Sequence, residues 1–97
     1  MRNDDINSVL LEGMLVSEVE RFGCNAVFVV TSRHGNTYAT MPIVIEPGKL
    51  ADKALETLKS CMKVRVVGKI ETYDGVNVIK ADHIEYRKKD IMEEGDV

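Results

Sequence analysis

The stretch Asn7-Ser8-Val9-Leu10-Leu11-Glu12-Gly13-Met14-Leu15-Val16 is aliphatic at most positions and carries a glycine near its centre. In an extended chain Val9, Leu11, Gly13 and Leu15 fall on one side, and Leu10, Glu12, Met14 and Val16 on the other. Both sides are largely apolar, so this strand is expected to meet protein on two faces. Glycine inside a strand marks a bulge, a bend or a close backbone approach. A second stretch, Lys63-Val64-Arg65-Val66-Val67-Gly68-Lys69-Ile70-Glu71, repeats the device at Gly68. Two long strands, each bent at a glycine, suit a small closed barrel, whose strands must coil and tilt.

The other segments fit around these two. Cys24–Arg33 alternates as a strand. Ser32-Arg33-His34-Gly35-Asn36 is a hairpin signal, and Thr37–Ile45 returns as a third strand. In that strand Met41, Ile43 and Ile45 are expected to point outward as an apolar row, and Pro42 pushes the strand toward an edge or a bulge. Lys49–Met62 has Ala51, Ala54, Leu55, Leu58 and Met62 at helical spacing. Lys63–Tyr73 and Val76–Arg87 form a hairpin about Asp74-Gly75, and a break in apolar phase near Lys80 predicts a bulge. Ser17–Gly23 reads as a polar connection. The expected class is all-β with one helix. Its order of three strands, helix and two strands is that of a five-stranded OB barrel, with the helix between strands three and four.

The 97 residues suffice for one domain, expected over 1–88, with a short acidic tail at 89–97. Net charge is −3, but over 6–89 there are 12 basic and 10 acidic side chains, a balance of +2. The body is thus mildly basic between acidic ends. No run approaches the ~18 apolar residues of a membrane span. No signal sequence is read, so the expected compartment is the cytoplasm. Cys24 and Cys61 lack metal-ligand spacing and are expected to be core thiols in a reducing compartment. No metal or cofactor is expected. No Walker-type phosphate loop, nucleophile–base pair or zinc-spaced cluster is present, which argues against an enzyme. Asp82-His83 reads as structural.

Four segments resemble the bacterial single-stranded DNA-binding protein family: Asp5–Gly13 with Leu15-Val16, Gly48-Lys49-Leu50-Ala51 with Leu55 and Leu58, Val64–Ile70, and Ala81–Tyr86. The resemblance implies an OB fold, homodimers built through the first strand and often paired into homotetramers, and sequence-independent binding of single-stranded DNA. In such proteins bases stack on aromatic rings in a basic groove. This chain departs from the pattern. At the positions that align with the family's stacking aromatics it has His34, Met41, Pro47 and Tyr73, so only His34 and Tyr73 keep a π-face. Each stack is worth ~1–3 kcal/mol, so two losses weaken binding ~30-fold or more. The hairpin at Asp74-Gly75 is short. The chain ends Glu-Gly-Asp-Val without the family's long linker and acidic tip, so that tip's docking of replication and repair proteins is not carried over.

The expected nucleic-acid contacts are Arg33, His34, Arg65, Lys69 and Lys80, with Tyr73 as stacking platform. The expected subunit contacts are Asn7, Val9, Leu11, Met41, Ile43 and Ile45. The alternative reading is a degenerate OB module that docks on another protein, as the short primosomal relatives of the family do. The scarcity of aromatics and the apolar row favour it.

Overall fold

The structure, a computed structural model, describes residues 6–87. The expected polar lead at 1–5 and the acidic tail lie outside the described residues. The elements are β1 (Val9–Leu15), β2 (Glu20–Phe22), β3 (Asn25–His34), β4 (Thr37–Ile45), α1 (Lys49–Thr57), β5 (Lys63–Tyr73) and β6 (Val76–Arg87). β1 runs antiparallel to β5 from Val9 opposite Gly68 to Met14 opposite Lys63, then meets β3 at Met14 and Leu15. β3–β4 and β5–β6 are hairpins, joined by a short parallel contact of Ile43 with Ile79 and Val44 with Lys80. The circuit β1-β5-β6-β4-β3 therefore returns to β1, a closed barrel of five strands. The short β2 extends the edge of β3 beyond β1. It occupies part of the expected polar connection and shifts the count, so the helix expected after the third strand stands between β4 and β5.

Both central glycines sit where two backbones touch. A Cβ at Gly13 would run into the Thr31 carbonyl oxygen and lie 2.8 Å from Val30 Cγ1. This is where β1 crosses from β5 to β3. A Cβ at Gly68 would run into the Lys80 carbonyl oxygen. There the β5–β6 register slips: Val67 faces His83 and Gly68 faces Ala81, which leaves Asp82 as the extra residue. The bulge expected near Lys80 thus lies two residues on, at Asp82.

Leu15, Phe28, Val30, Ile43, Ile45, Val64, Val66 and Ile79 fill the barrel. Ile43 and Ile45 are therefore not an outward row, and Met41 is half-buried against the same core. The sequence of β4 has apolar residues on both parities, so its inward side cannot be told from pattern alone. Pairing with β3 fixes it: Phe28, fully inside, faces Ile43. The outward set is Tyr38, Thr40, Pro42 and Val44.

Ala51 and Ala54 of α1 close one barrel mouth. The helix stops earlier than its apolar spacing predicts, because Leu58 is extended at φ −80°, ψ 135°. Leu58 and Met62 still reach the core, from a non-helical segment that bonds to β1: Leu15 N donates to the Met62 carbonyl and Cys61 N to the Leu15 carbonyl, each at 2.9 Å. Cys24 and Cys61 are both exposed, contrary to the core thiols expected. One lies in the β2–β3 turn and the other in this bonded loop, where backbone pairing rather than side-chain burial holds the chain.

Candidate nucleic-acid interface

Residues paired across a ladder share a face. Glu20 pairs with Val27, Val27 with Val44, Val44 with Lys80, and Lys80 with Lys69. One continuous row therefore crosses the outer wall from β2 to β5. Val44 and Val78 are buried on this wall, outside the central core, and give it an apolar floor. Two and four residues beyond Lys69 on the same face stand Glu71 and Tyr73.

Lys80 is the hub of the wall. Its ammonium lies 3.3 Å from both Glu46 and Glu71. The hydrogen bonds to Glu71 and then to Glu46 raise its pKa above the usual lysine value. Tyr73 donates from its hydroxyl to Glu71 at 3.1 Å, and that bond holds the phenol above its ordinary value. Lys69 meets Asp82, the bulge residue, at 3.2 Å. Arg65 lies farther along the same face of β5, 3.0 Å from Glu12 and 3.6 Å from Glu85. Three of the expected phosphate-binding cations thus meet five carboxylates. Surface pairs of this kind are individually weak, but here five carboxylates face three cations, so the cations of the wall are fully offset by their own neighbours.

The fold brings Lys69, Lys80 and Tyr73 onto one wall, with Arg65 at its far side. Arg33 and His34 are elsewhere, exposed at the tip of the β3–β4 hairpin, where they pair with Tyr38 and Thr37 on opposite faces. Among the described residues Arg33 takes part in no ion pair. Phe22 and Tyr38 are exposed aromatics that the sequence reading passed over. Phe22 precedes a Gly23-Cys24 turn, a hairpin signal short enough to hide inside a polar connection.

Of the expected subunit contacts, Ile43 and Ile45 lie in the core. Val9 and Leu11 are half-buried and packed against the core. Asn7 spends its carboxamide within the chain: Nδ2 donates to the Ile70 carbonyl at 2.9 Å, and Oδ1 accepts from Ile70 N at 3.0 Å. The apolar row that does face outward is Leu10, Met14 and Val16, exposed by 64%, 43% and 50%. It lines a groove of about 520 Å³ with Thr31, Tyr38 and Lys63. Among the described residues no group of three or more His, Cys, Asp or Glu is placed to hold a metal ion. No helix there is long and apolar enough to cross a membrane.

No protein-family model matches the chain, and no curated protein matches it. Solved structures do. The single-stranded DNA-binding domain of a Synechococcus protein superposes with a TM-score of 0.74 at 14% identity, covering 87% of this chain and 99% of that one. The mitochondrial single-stranded DNA-binding protein of S. cerevisiae gives 0.77 at 15% identity, covering 88% and 97%. The dimeric N-terminal domain of the PriB protein of Thermoanaerobacter tencongensis gives 0.62 at 19% identity, covering 86% and 98%. The fold is the OB fold. OB folds bind oligonucleotides or oligosaccharides on the face of their second and third strands and on the loops after the first and fourth. In this OB fold those parts are the outer faces of β3 and β4, the connection that carries β2, and the β5–β6 turn. The Glu20–Lys69 row crosses β2 and the outer faces of β3 and β4, and Tyr73 stands beside the β5–β6 turn.

Proposed function

We propose that this chain binds single-stranded DNA without sequence preference, on the outer wall that runs from β2 through β3, β4 and β6 to β5. It acts as a cytoplasmic accessory of replication, recombination or repair, and it binds rather than catalyses. The observation that carries this reading is the placement of Lys69, Lys80 and Tyr73 on one OB face, above the apolar floor of Val44 and Val78. Lysines neutralise phosphates and a tyrosine ring accepts a base. The active unit is a homodimer, alone or paired into a homotetramer, joined through outward Leu10 and Met14 of β1 and Val16 just after it. Titration of a dye-labelled oligo-dT at low salt, read by anisotropy, tests the activity. Saturable binding is expected, with log affinity falling by ~0.7 per phosphate contact for each log unit of salt. No binding at ~100 μM protein, the weak end of non-specific affinities, refutes it.

A second reading has its own support. The carboxylates on Arg65, Lys69 and Lys80 reduce the wall's attraction for a polyanion, and the groove beside β1 mixes exposed apolar Leu10, Met14 and Val16 with Glu12, Arg33 and Lys63, as a protein-binding surface does. On that reading the chain is an interaction module of the primosomal-accessory type. It would co-purify with a stoichiometric partner whose binding is insensitive to salt.

A further inference from the structure

Phe22 is exposed by 73%, more than any other aromatic among the described residues. A phenyl ring left in water forgoes the burial that drives folding, yet here the chain builds a small device that holds it out. β2 is only Glu20-Arg21-Phe22, and it pairs with Val27, Ala26 and Asn25. The two-residue turn Gly23-Cys24 closes the hairpin, and Gly23 takes φ 66°, a conformation that a side chain disfavours. Arg21, which points to the opposite face, reaches Asp52 in the first turn of α1 at 3.6 Å. One face of β2 is thus tied toward the helix, and the other presents Phe22.

The direction of that presentation follows from register. Glu20 belongs to the outer-wall row through Val27, Val44, Lys80 and Lys69. Phe22, two residues on, shares the face. Tyr73 stands four residues from Lys69 on the same wall, in the opposite direction along the strands. Four strand spacings and six residues separate the two rings, ~25–30 Å along the surface. The diagonal between them passes over Val27 and Val78 and close to Val44, with Lys80 alongside. That length suits the ~4–16 nucleotides that one OB fold covers. The two rings sit on the loop after the first barrel strand and beside the loop after the fourth, the two loops through which an OB face grips its ligand.

We propose that Phe22 is a base-stacking platform, the counterpart of Tyr73 at the opposite end of the wall, so that a single strand runs diagonally from one ring to the other past Lys80. The proposal rests on the single-strand reading above and adds to it the strand's path and its second anchor. It also gives a reason for preference: an unpaired base offers an open π-face, whereas bases inside a duplex are already stacked.

The chain has no tryptophan, so Phe22→Trp installs a lone reporter whose emission belongs to this position. Oligo-dT is titrated into the Trp variant with emission recorded, and into wild type and Phe22→Ala with a labelled oligonucleotide. The expected results are quenching of the Trp emission on saturation, and weakening of binding by Phe22→Ala about fivefold to a hundredfold, the range of one lost stack. Phe22 packs into no core, so the alanine variant is expected to melt as wild type does. Wild-type affinity in Phe22→Ala, or unchanged Trp emission under saturating oligonucleotide, overturns the stacking role while leaving single-strand binding intact. Absence of binding by the wild type itself overturns both.

Discussion

Gly68 has no side chain because the Lys80 carbonyl oxygen stands where a Cβ would go. Gly68→Ala forces two paired backbones apart at the bulge and is expected to lower stability by about 1–3 kcal/mol, the range for overpacking. Urea unfolding checks this: the midpoint should fall with little change in slope. The same residue scale governs alkaline pH. Lys80 and Tyr73 both have pKa values raised in the folded state, by Glu71 first. Each therefore holds its proton to higher pH when folded than when unfolded. Stability from both is fully present below about pH 10, the ordinary range of these groups, and is lost as pH rises through the folded values. Glu71→Gln should flatten that alkaline loss in thermal melts recorded between about pH 9 and 11. A loss unchanged by Glu71→Gln contradicts the assignment. Gly13 and Gly68 were legible as bends because glycine in an aliphatic strand has few other uses. The side chains of β4 were not, because Pro42 and Val44 on one parity look no more polar than Ile43 and Ile45 on the other.

At the scale of elements, the β5–β6 hairpin and the β4–α1 junction are linked through Glu71, Lys80 and Glu46. On the proposed function these carboxylates would compete with phosphate for the central cation of the wall. The double substitution Glu46→Gln with Glu71→Gln is expected to tighten oligo-dT binding ~2–10-fold, from exposed pairs each worth a few tenths to one kcal/mol. Weaker binding in the double variant, in the same anisotropy titration, would show that the carboxylates help to hold Lys80 in place rather than compete for it. The long strands and hairpins could be read ahead of the structure because turn residues such as Asp74-Gly75 punctuate them. β2 could not, since three residues reading Glu-Arg-Phe carry no alternation. α1 ends before its apolar spacing does, because Leu58 and Met62 keep helical spacing while reaching the core from a bonded loop. Helical periodicity reports burial, and here burial continues after the helix has stopped.

Among the described residues, one side of β1 exposes Leu10 and Met14 about a charged Glu12, with Val16 just beyond the strand. Leu10→Glu places a charge on that row without touching the core, so the protomer should stay folded while self-association is lost. Sedimentation velocity is expected to show the wild type as a dimer or larger and the variant as a monomer with an unchanged circular dichroism spectrum. A wild type that sediments as a monomer removes β1 as a subunit contact. The barrel could be anticipated from strand order and two glycines. The partition of its surface could not, because which face meets solvent depends on pairings such as Val27 with Val44 and Val44 with Lys80, between residues far apart in the chain.

The location of the single strand is the central claim, and backbone amide shifts in an NMR titration with oligo-dT test it most directly. Binding on the outer OB wall predicts shifts concentrated at Phe22, Val27, Val44, Lys69, Tyr73 and Lys80, with α1 and the outward row of β1 unmoved. Shifts confined to α1 or to Leu10, Met14 and Val16, or none at saturating oligonucleotide, would contradict it.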